Sequence, residues 1–154
     1  MDGNEPMRGE RRERLDLRGA IKLAEDAHRG ATDKAGRPYI QHVMRVVQAV
    51  DTNEQKMAAA LHDIVEDTST TLDHLTEAGC PREVVAAVDA LTRRPGEDYE
   101  SFLERASQNE LARRVKIADL MDNSDESRLA LLPPEEAEQL RAKYSRAIAA
   151  LGGR

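Results

Sequence analysis

The chain has 154 residues, a mass of 17.1 kDa and a formal charge of −6, a length that accommodates one domain. Charged residues make up 34% and aromatics only 3%, with no Trp, so the core has to come from Ala, Leu, Val, Ile and Met, a composition that favours helices over strands. The acidic balance argues against a diffuse nucleic-acid or anionic-membrane surface, Cys80 alone excludes an internal disulfide, and no apolar run suits a signal peptide or membrane span; a cytoplasmic protein is expected.

The first fourteen residues, MDGNEPMRGERRER, carry almost no apolar content and are expected to form a mobile tail, leaving 15–154 as a single domain. From Leu17 an apolar stripe at steps of three and four (Leu17, Ala20, Ile21, Ala24, Ala27, His28, Ala31) predicts a helix, and Gly30, Gly36 and Pro38 mark the loop after it. A second helix is predicted from about Tyr39 to Val50. A third starts at Asn53, taken as its N-cap, and runs through MAAALHDIVED. Thr70, with Asp73 three residues on, suggests a capping box for a short helix ending at Gly79. Pro81 is placed to open the next, with Val84, Val85, Val88 and Leu91 on one face. After the loop RRPGED, Tyr99 to about Ser107 and Asn109 to about Asn123 are expected to be helical. Pro133 and Pro134 open the last helix, and Gly152 and Gly153 stop it. No segment reads as a strand, so the expected fold is all-α with about seven or eight helices.

The densest charge lies in ALHDIVEDT, Ala60 to Thr68, directly after an apolar run. If the third helix continues through Asp67, then His62 with Glu66, Asp63 with Glu66 and Asp63 with Asp67 stand three or four residues apart and share one patch. Packed carboxylates repel one another. A cation relieves that repulsion, and imidazole beside carboxylate is a mixed nitrogen and oxygen set suited to a first-row divalent metal. The plainer explanation is a solvated helix end, although acidic side chains there oppose the helix dipole.

Further ligands would have to come from elsewhere. His42, in PYIQHVMRVV, is flanked by apolar positions, where a histidine is more often a satisfied core side chain than a ligand. His28 is assigned a structural or supporting place, and His74 the surface. In VKIADLMDN, Lys116, Asp119, Asp122 and Asn123 share a helical face. Asp119 sits among aliphatics and needs a partner. That partner is either Lys116 or, if this helix packs on the HD pair, a metal.

In this order, GATDKAGRPYIQH, AAALHDIVEDTSTTL and VKIADLMDN resemble the signature segments of the HD superfamily of metal-dependent phosphohydrolases. More narrowly, they resemble the alarmone-hydrolase branch of RelA/SpoT-type proteins and the stand-alone small alarmone hydrolases. The resemblance covers about Leu17 to Leu129 and implies a compact helical HD fold. It implies one divalent metal, commonly Mn²⁺, on His42, His62, Asp63 and Asp119. It makes Glu66 and Asp67 the residues that orient and deprotonate the attacking water, and Lys34 and Asn123 contacts to the nucleotide. Thr68 ends the same motif as a supporting residue.

The implied reaction is hydrolysis of the 3′-diphosphate of guanosine 3′,5′-bis(diphosphate) or its pentaphosphate relative, releasing pyrophosphate, without a synthetase domain. Four features depart from the pattern. Asp33 stands where the long enzymes carry a guanine-contacting arginine, and Val43 where proline usually follows the histidine. Asp122 stands where a histidine precedes the asparagine, and NSDESRL shifts the spacing to Arg128. The alternatives are hydrolysis of another phosphorylated nucleotide or nucleotide cofactor by the same site, and a non-catalytic nucleotide-binding module. The expected partner is a small nucleotide, not nucleic acid or membrane, and the last helix is free to cover the core or to serve as a homo-oligomer face.

Overall fold

The computed structural model describes residues 14–152, so the expected tail lies, but for Arg14, outside the described residues, as does Gly153. Helix α1 (Leu17–Ala27) opens on Asp16, whose carboxylate accepts the Gly19 N–H at 2.8 Å. It stops a turn short of the predicted stripe, because His28 leaves helical geometry and Gly30 takes a φ of 84°. Helix α2 (Tyr39–Ala49) buries His42, Val43, Val46 and Val47.

Helix α3 (Asn53–Leu61) is capped by Thr52, not Asn53: the Thr52 hydroxyl accepts the Gln55 N–H and the Gln55 amide oxygen accepts the Thr52 N–H. After the single turn α4 (Ile64–Asp67), α5 (Leu72–Glu77) is capped one residue later than predicted, where α3 is capped one earlier. Thr71 pairs with His74, whose Nδ1 accepts the Thr71 N–H, in place of Thr70 with Asp73. His74 is exposed, as expected. Helices α6 (Arg82–Ala90), α7 (Tyr99–Ser107), α8 (Glu110–Asn123), α9 (Glu126–Leu129) and α10 (Pro134–Ala150) follow. Among the described residues there is no strand, and an isolated bridge from Thr32 to Pro38 pinches the α1–α2 loop.

Helix α3 is the centre of the fold, packed by α1, α2, α6 and α8. Met57, Ala58, Ala59, Ala60 and Leu61 are all at most 1% exposed, so the second half of this helix is apolar on every side, as a segment surrounded by other helices must be. Three consecutive alanines let four neighbours approach its backbone. Leu61 and Ile64 fill the core at the point where the charged motif begins, and truncating Leu61 to Ala would cost about 2–5 kcal/mol. A second, smaller cluster of Phe102, Leu103, Leu120, Ala147 and Leu151 fastens α10 onto α7 and α8. The last helix thereby covers the core within this chain.

Candidate metal centre and adjoining cleft

The third helix does not continue through Asp67. His62 and Asp63 form a turn between α3 and α4, with Asp63 at φ −123°, ψ 15°. The His62 side chain braces this break: Nδ1 lies 2.7 Å from the Ala59 carbonyl oxygen and donates to it, beside the His62 N–H at 3.5 Å from the same oxygen. Fixing Nδ1–H on a carbonyl makes Nε2 the nitrogen whose lone pair becomes available once the imidazolium gives up its proton. Nε2 faces Asp119 Oδ1 at 3.3 Å and Asp63 Oδ2 at 3.6 Å.

Helix α2 delivers His42 opposite, with Nε2 2.8 Å from Asp119 Oδ1, and α8 delivers Asp119. Ligand atoms of His42, His62 and Asp119 all lie within 4.8 Å of one another, and the three side chains are buried. Asp63 borders this group. Its Oδ2 accepts the Tyr39 hydroxyl, and its Oδ1 lies 3.3 Å from His28 Nε2, close enough for an ion pair but not aligned as a hydrogen bond. Two buried polar atoms without a satisfied hydrogen bond, beside three convergent imidazole and carboxylate donors, fit a divalent cation with mixed nitrogen and oxygen ligands.

Electrostatics point the same way. Burial alone works against charge on Asp119, yet Lys116, His42 and His62 hold its carboxyl well below the usual range. Lys116 Nζ donates to Oδ2 at 3.0 Å, while the two imidazoles share Oδ1. The two partners weighed for Asp119 therefore use different oxygens. Burial would lower the His62 pKa, but Asp63 and Asp119 push it up to about 9. Asp67 goes the other way: burial first, then Asp63 and Glu66, raise its carboxyl.

Glu66 and Asp67 lie on α4 and are exposed. Glu66 Oε1 accepts the Arg93 N–H at 3.0 Å, which anchors it to the α6–α7 loop and away from the buried donors, so the four charges do not share one helical face. Thr68 ends α4 by donating its hydroxyl to the Ile64 carbonyl at 2.6 Å. A cavity of about 270 Å³ is lined by the carboxylates Asp63, Glu66, Asp67 and Asp119 together with the cations Arg93, Lys116 and Lys143. Lys143 and Arg93 both stand over the Tyr99 ring, at 4.6 and 5.7 Å.

A second cavity of about 260 Å³ adjoins it, lined by Asp33, Lys34, Arg128, Leu132 and Leu140, and shares Tyr39, Asn123 and Tyr144 with the first. Lys34 is exposed at this cleft. Asn123 stands where the two meet, its Oδ1 3.2 Å from Arg128. Asp33 is turned inward. Its Oδ1 accepts the N–H groups of Ala35 and Arg37 and its Oδ2 accepts from Arg128 at 2.9 Å, so one oxygen closes the loop and the other ties it to α9.

A family model for the HD domain matches residues 20–126. The chain belongs to the HD domain family. This HD domain is 30% identical over 130 residues to a guanosine-3′,5′-bis(diphosphate) 3′-pyrophosphohydrolase of Haemophilus influenzae, covering 77% of this chain and 19% of that protein. It is 33% identical over 111 residues to a protein of the same name from Vibrio cholerae, covering 69% of this chain and 15% of that one. The chain thus spans about a fifth or less of these relatives. A solved structure described as a metazoan ortholog of SpoT that hydrolyzes ppGpp shares the fold, with a TM-score of 0.74 and 23% identity over 88% of this chain and 84% of that one.

Sequence pattern alone did not bring Tyr39, Arg93, Lys143 or Tyr144 to the site of this HD domain, whereas His28, assigned a structural or supporting place, stands 3.3 Å from Asp63. Tyr39 belongs to the segment that carries His42 and could have been flagged by it. Arg93, Lys143 and Tyr144 arrive from the α6–α7 loop and α10, with no local signal.

Proposed function

We propose that the chain hydrolyses the 3′-diphosphate of guanosine 3′,5′-bis(diphosphate) or the pentaphosphate, releasing pyrophosphate and leaving GDP or GTP, with one divalent cation, most simply Mn²⁺. The observation that carries this is the convergence of His42, His62 and Asp119 donor atoms within 4.8 Å, with His62 and Asp119 opening onto a cavity lined by both carboxylates and cations. The names of the relatives support the substrate. His42, His62, Asp63 and Asp119 would hold the cation. A cation there would lower the pKa of water and offset the negative charge of a diphosphate.

The chain's own residues supply the rest. Asp67, its carboxyl raised by burial and by Asp63 and Glu66, is suited to take the proton from the attacking water. Glu66, fixed by the Arg93 N–H, orients that water. Lys116, Lys143 and Arg93 face the diphosphate, and Lys34 and Asn123 border the cleft for the nucleoside. The water oxygen attacks the phosphorus attached to the 3′-oxygen; that P–O bond breaks, and the 3′-hydroxyl leaves on the nucleotide. No helix among the described residues is long and apolar enough to cross a membrane, and a cytoplasmic enzyme acting on a free nucleotide fits that.

One observation favours a second substrate within the same chemistry. Asp33 has both carboxylate oxygens engaged, by its own loop and by Arg128, and it cannot donate to guanine as an arginine at this position would. Another 3′- or 2′-phosphorylated nucleotide is then accommodated as well. The test is to strip the protein of metal, restore Mn²⁺, and assay a panel of phosphorylated nucleotides. Pyrophosphate from guanosine tetraphosphate only when Mn²⁺ is present supports the proposal, and orthophosphate from a nucleotide cofactor with none from the tetraphosphate favours the second substrate. No turnover of any nucleotide contradicts both.

A further inference from the structure

Asp33, Asp122 and Arg128, each singled out in the sequence, form one connected unit. Arg128 NH2 donates to Asp33 Oδ2 at 2.9 Å, and its NH1 donates to Asp122 Oδ2 at 2.8 Å. Arg45 Nε donates to the other oxygen, Asp122 Oδ1, at 2.8 Å. Held by two guanidinium groups, Asp122 Oδ2 lies 2.6 Å from His42 Nδ1. His42 is 1% exposed, so no water competes for that nitrogen. We propose that Asp122 is a positioning residue for His42: it takes the Nδ1–H, so that Nε2 presents its lone pair beside His62 and Asp119. Arg128, pinned on Asp33, holds Asp122 in place and ties the cleft loop to the metal centre.

The site contains its own parallel. His62 has Nδ1 fixed on the Ala59 carbonyl at 2.7 Å with Nε2 turned inward, and His42 has the same polarity with a carboxylate in place of the carbonyl. A carboxylate behind a metal-binding imidazole fixes its tautomer and orientation and raises its basicity as a ligand. Asp33 has a corresponding role at the far end of the chain of contacts. With Oδ1 closing the loop on Ala35 and Arg37, its Oδ2 is aimed at Arg128.

This proposal rests on the metal-centre reading, and its test reads cation affinity instead of turnover. Mn²⁺ is titrated into the metal-stripped protein and free Mn²⁺ is followed by electron paramagnetic resonance, for the parent and for Asp122→Ala, Asp122→Asn, Arg128→Gln and the Asp122→Ala/Arg128→Gln double variant. Asp122→Ala is expected to bind about 10- to 100-fold more weakly. Asp122→Asn, which keeps an acceptor and the side-chain shape, should fall between it and the parent and serves if the alanine variant does not fold.

Arg128→Gln discriminates by sign. Removing a cation near a cation site tightens binding if only bulk charge matters, whereas loss of positioning weakens it, by about three- to tenfold. Because Arg128 acts through Asp122, the double variant should be no weaker than Asp122→Ala alone. Parent-like affinity in folded Asp122→Ala or Asp122→Asn, tighter binding in Arg128→Gln, or losses that multiply in the double variant would each overturn the proposal. A parent that binds no Mn²⁺ overturns the metal centre itself and this role with it.

Discussion

Replacing Asp119 by Asn should destabilise the protein even with all metal removed. Asp119 is 5% exposed and neutralises Lys116, whose Nζ is 3.0 Å away, while both His42 Nε2 and His62 Nε2 lie on its other oxygen at 2.8 and 3.3 Å. The amide keeps the volume and one acceptor but leaves the Lys116 ammonium, largely buried at the cleft with its side chain 16% exposed, without its nearest counter-charge. Breaking a buried pair from one side costs about 3–5 kcal/mol. For a chain of this size each kcal/mol moves the midpoint by roughly 2–4 °C, so the metal-stripped variant should melt about 6–20 °C below the metal-stripped parent. Differential scanning calorimetry in excess chelator measures this directly. Adding Lys116→Met should recover part of the loss, because the orphaned charge is then gone. A midpoint within about 2 °C of the parent, or a double variant less stable than Asp119→Asn alone, would refute the view that Lys116 depends on Asp119.

Other expectations follow from the same geometry. Folding raises the His62 pKa from 6.5 to about 9, so in the metal-stripped protein its contribution is fully present below about pH 6.5 and is lost as pH rises through about 9. Urea unfolding should give a stability lower by on the order of a few kcal/mol at pH 9.5 than at pH 6.5, and equal values would sink this assignment. Below pH 9, Mn²⁺ uptake should release protons, measurable by calorimetry in buffers of different ionisation enthalpy. Asp67→Asn should retain Mn²⁺ while kcat falls by about 10²–10⁴; loss of metal instead would make Asp67 a ligand. Lys143→Ala should raise the inhibition constant for pyrophosphate about three- to tenfold, a modest effect because the side chain is exposed and screened. Its midpoint should not fall, since Lys116, Lys34 and Arg93 already press the Lys143 pKa down after burial does.

Much of the helical framework was legible from spacing, since an apolar face at steps of three and four is imposed by burial itself. Val84, Val88 and Leu91 are buried as the pattern required. The misses were local competitions that periodicity does not record. Thr52 and Thr71 became caps because Gln55 and His74 stood three residues ahead to return the hydrogen bond. Helix α3 broke at His62, where the imidazole braces the turn on the Ala59 carbonyl, which an i,i+4 count over ALHDIVED does not anticipate.

At the site, residues inside the three segments were readable as a set, but their partners across the fold were not. The inward turn of Asp33 depends on Arg128, 95 positions away, and Lys143 reaches the cleft because α10 folds back over α7 and α8. Asp119 shows the limit of choosing between two partners from sequence. Its two oxygens serve Lys116 and the imidazoles at once.

The central claim is that this constellation directs water onto the phosphorus next to the 3′-oxygen of a guanosine tetraphosphate. Turnover by the Mn²⁺-loaded protein in ¹⁸O-labelled water, followed by ³¹P NMR and mass spectrometry, tests it most directly. One ¹⁸O should appear in pyrophosphate and none in GDP. Orthophosphate as the product, label in the nucleotide, or equal turnover by Asp63→Ala would contradict it.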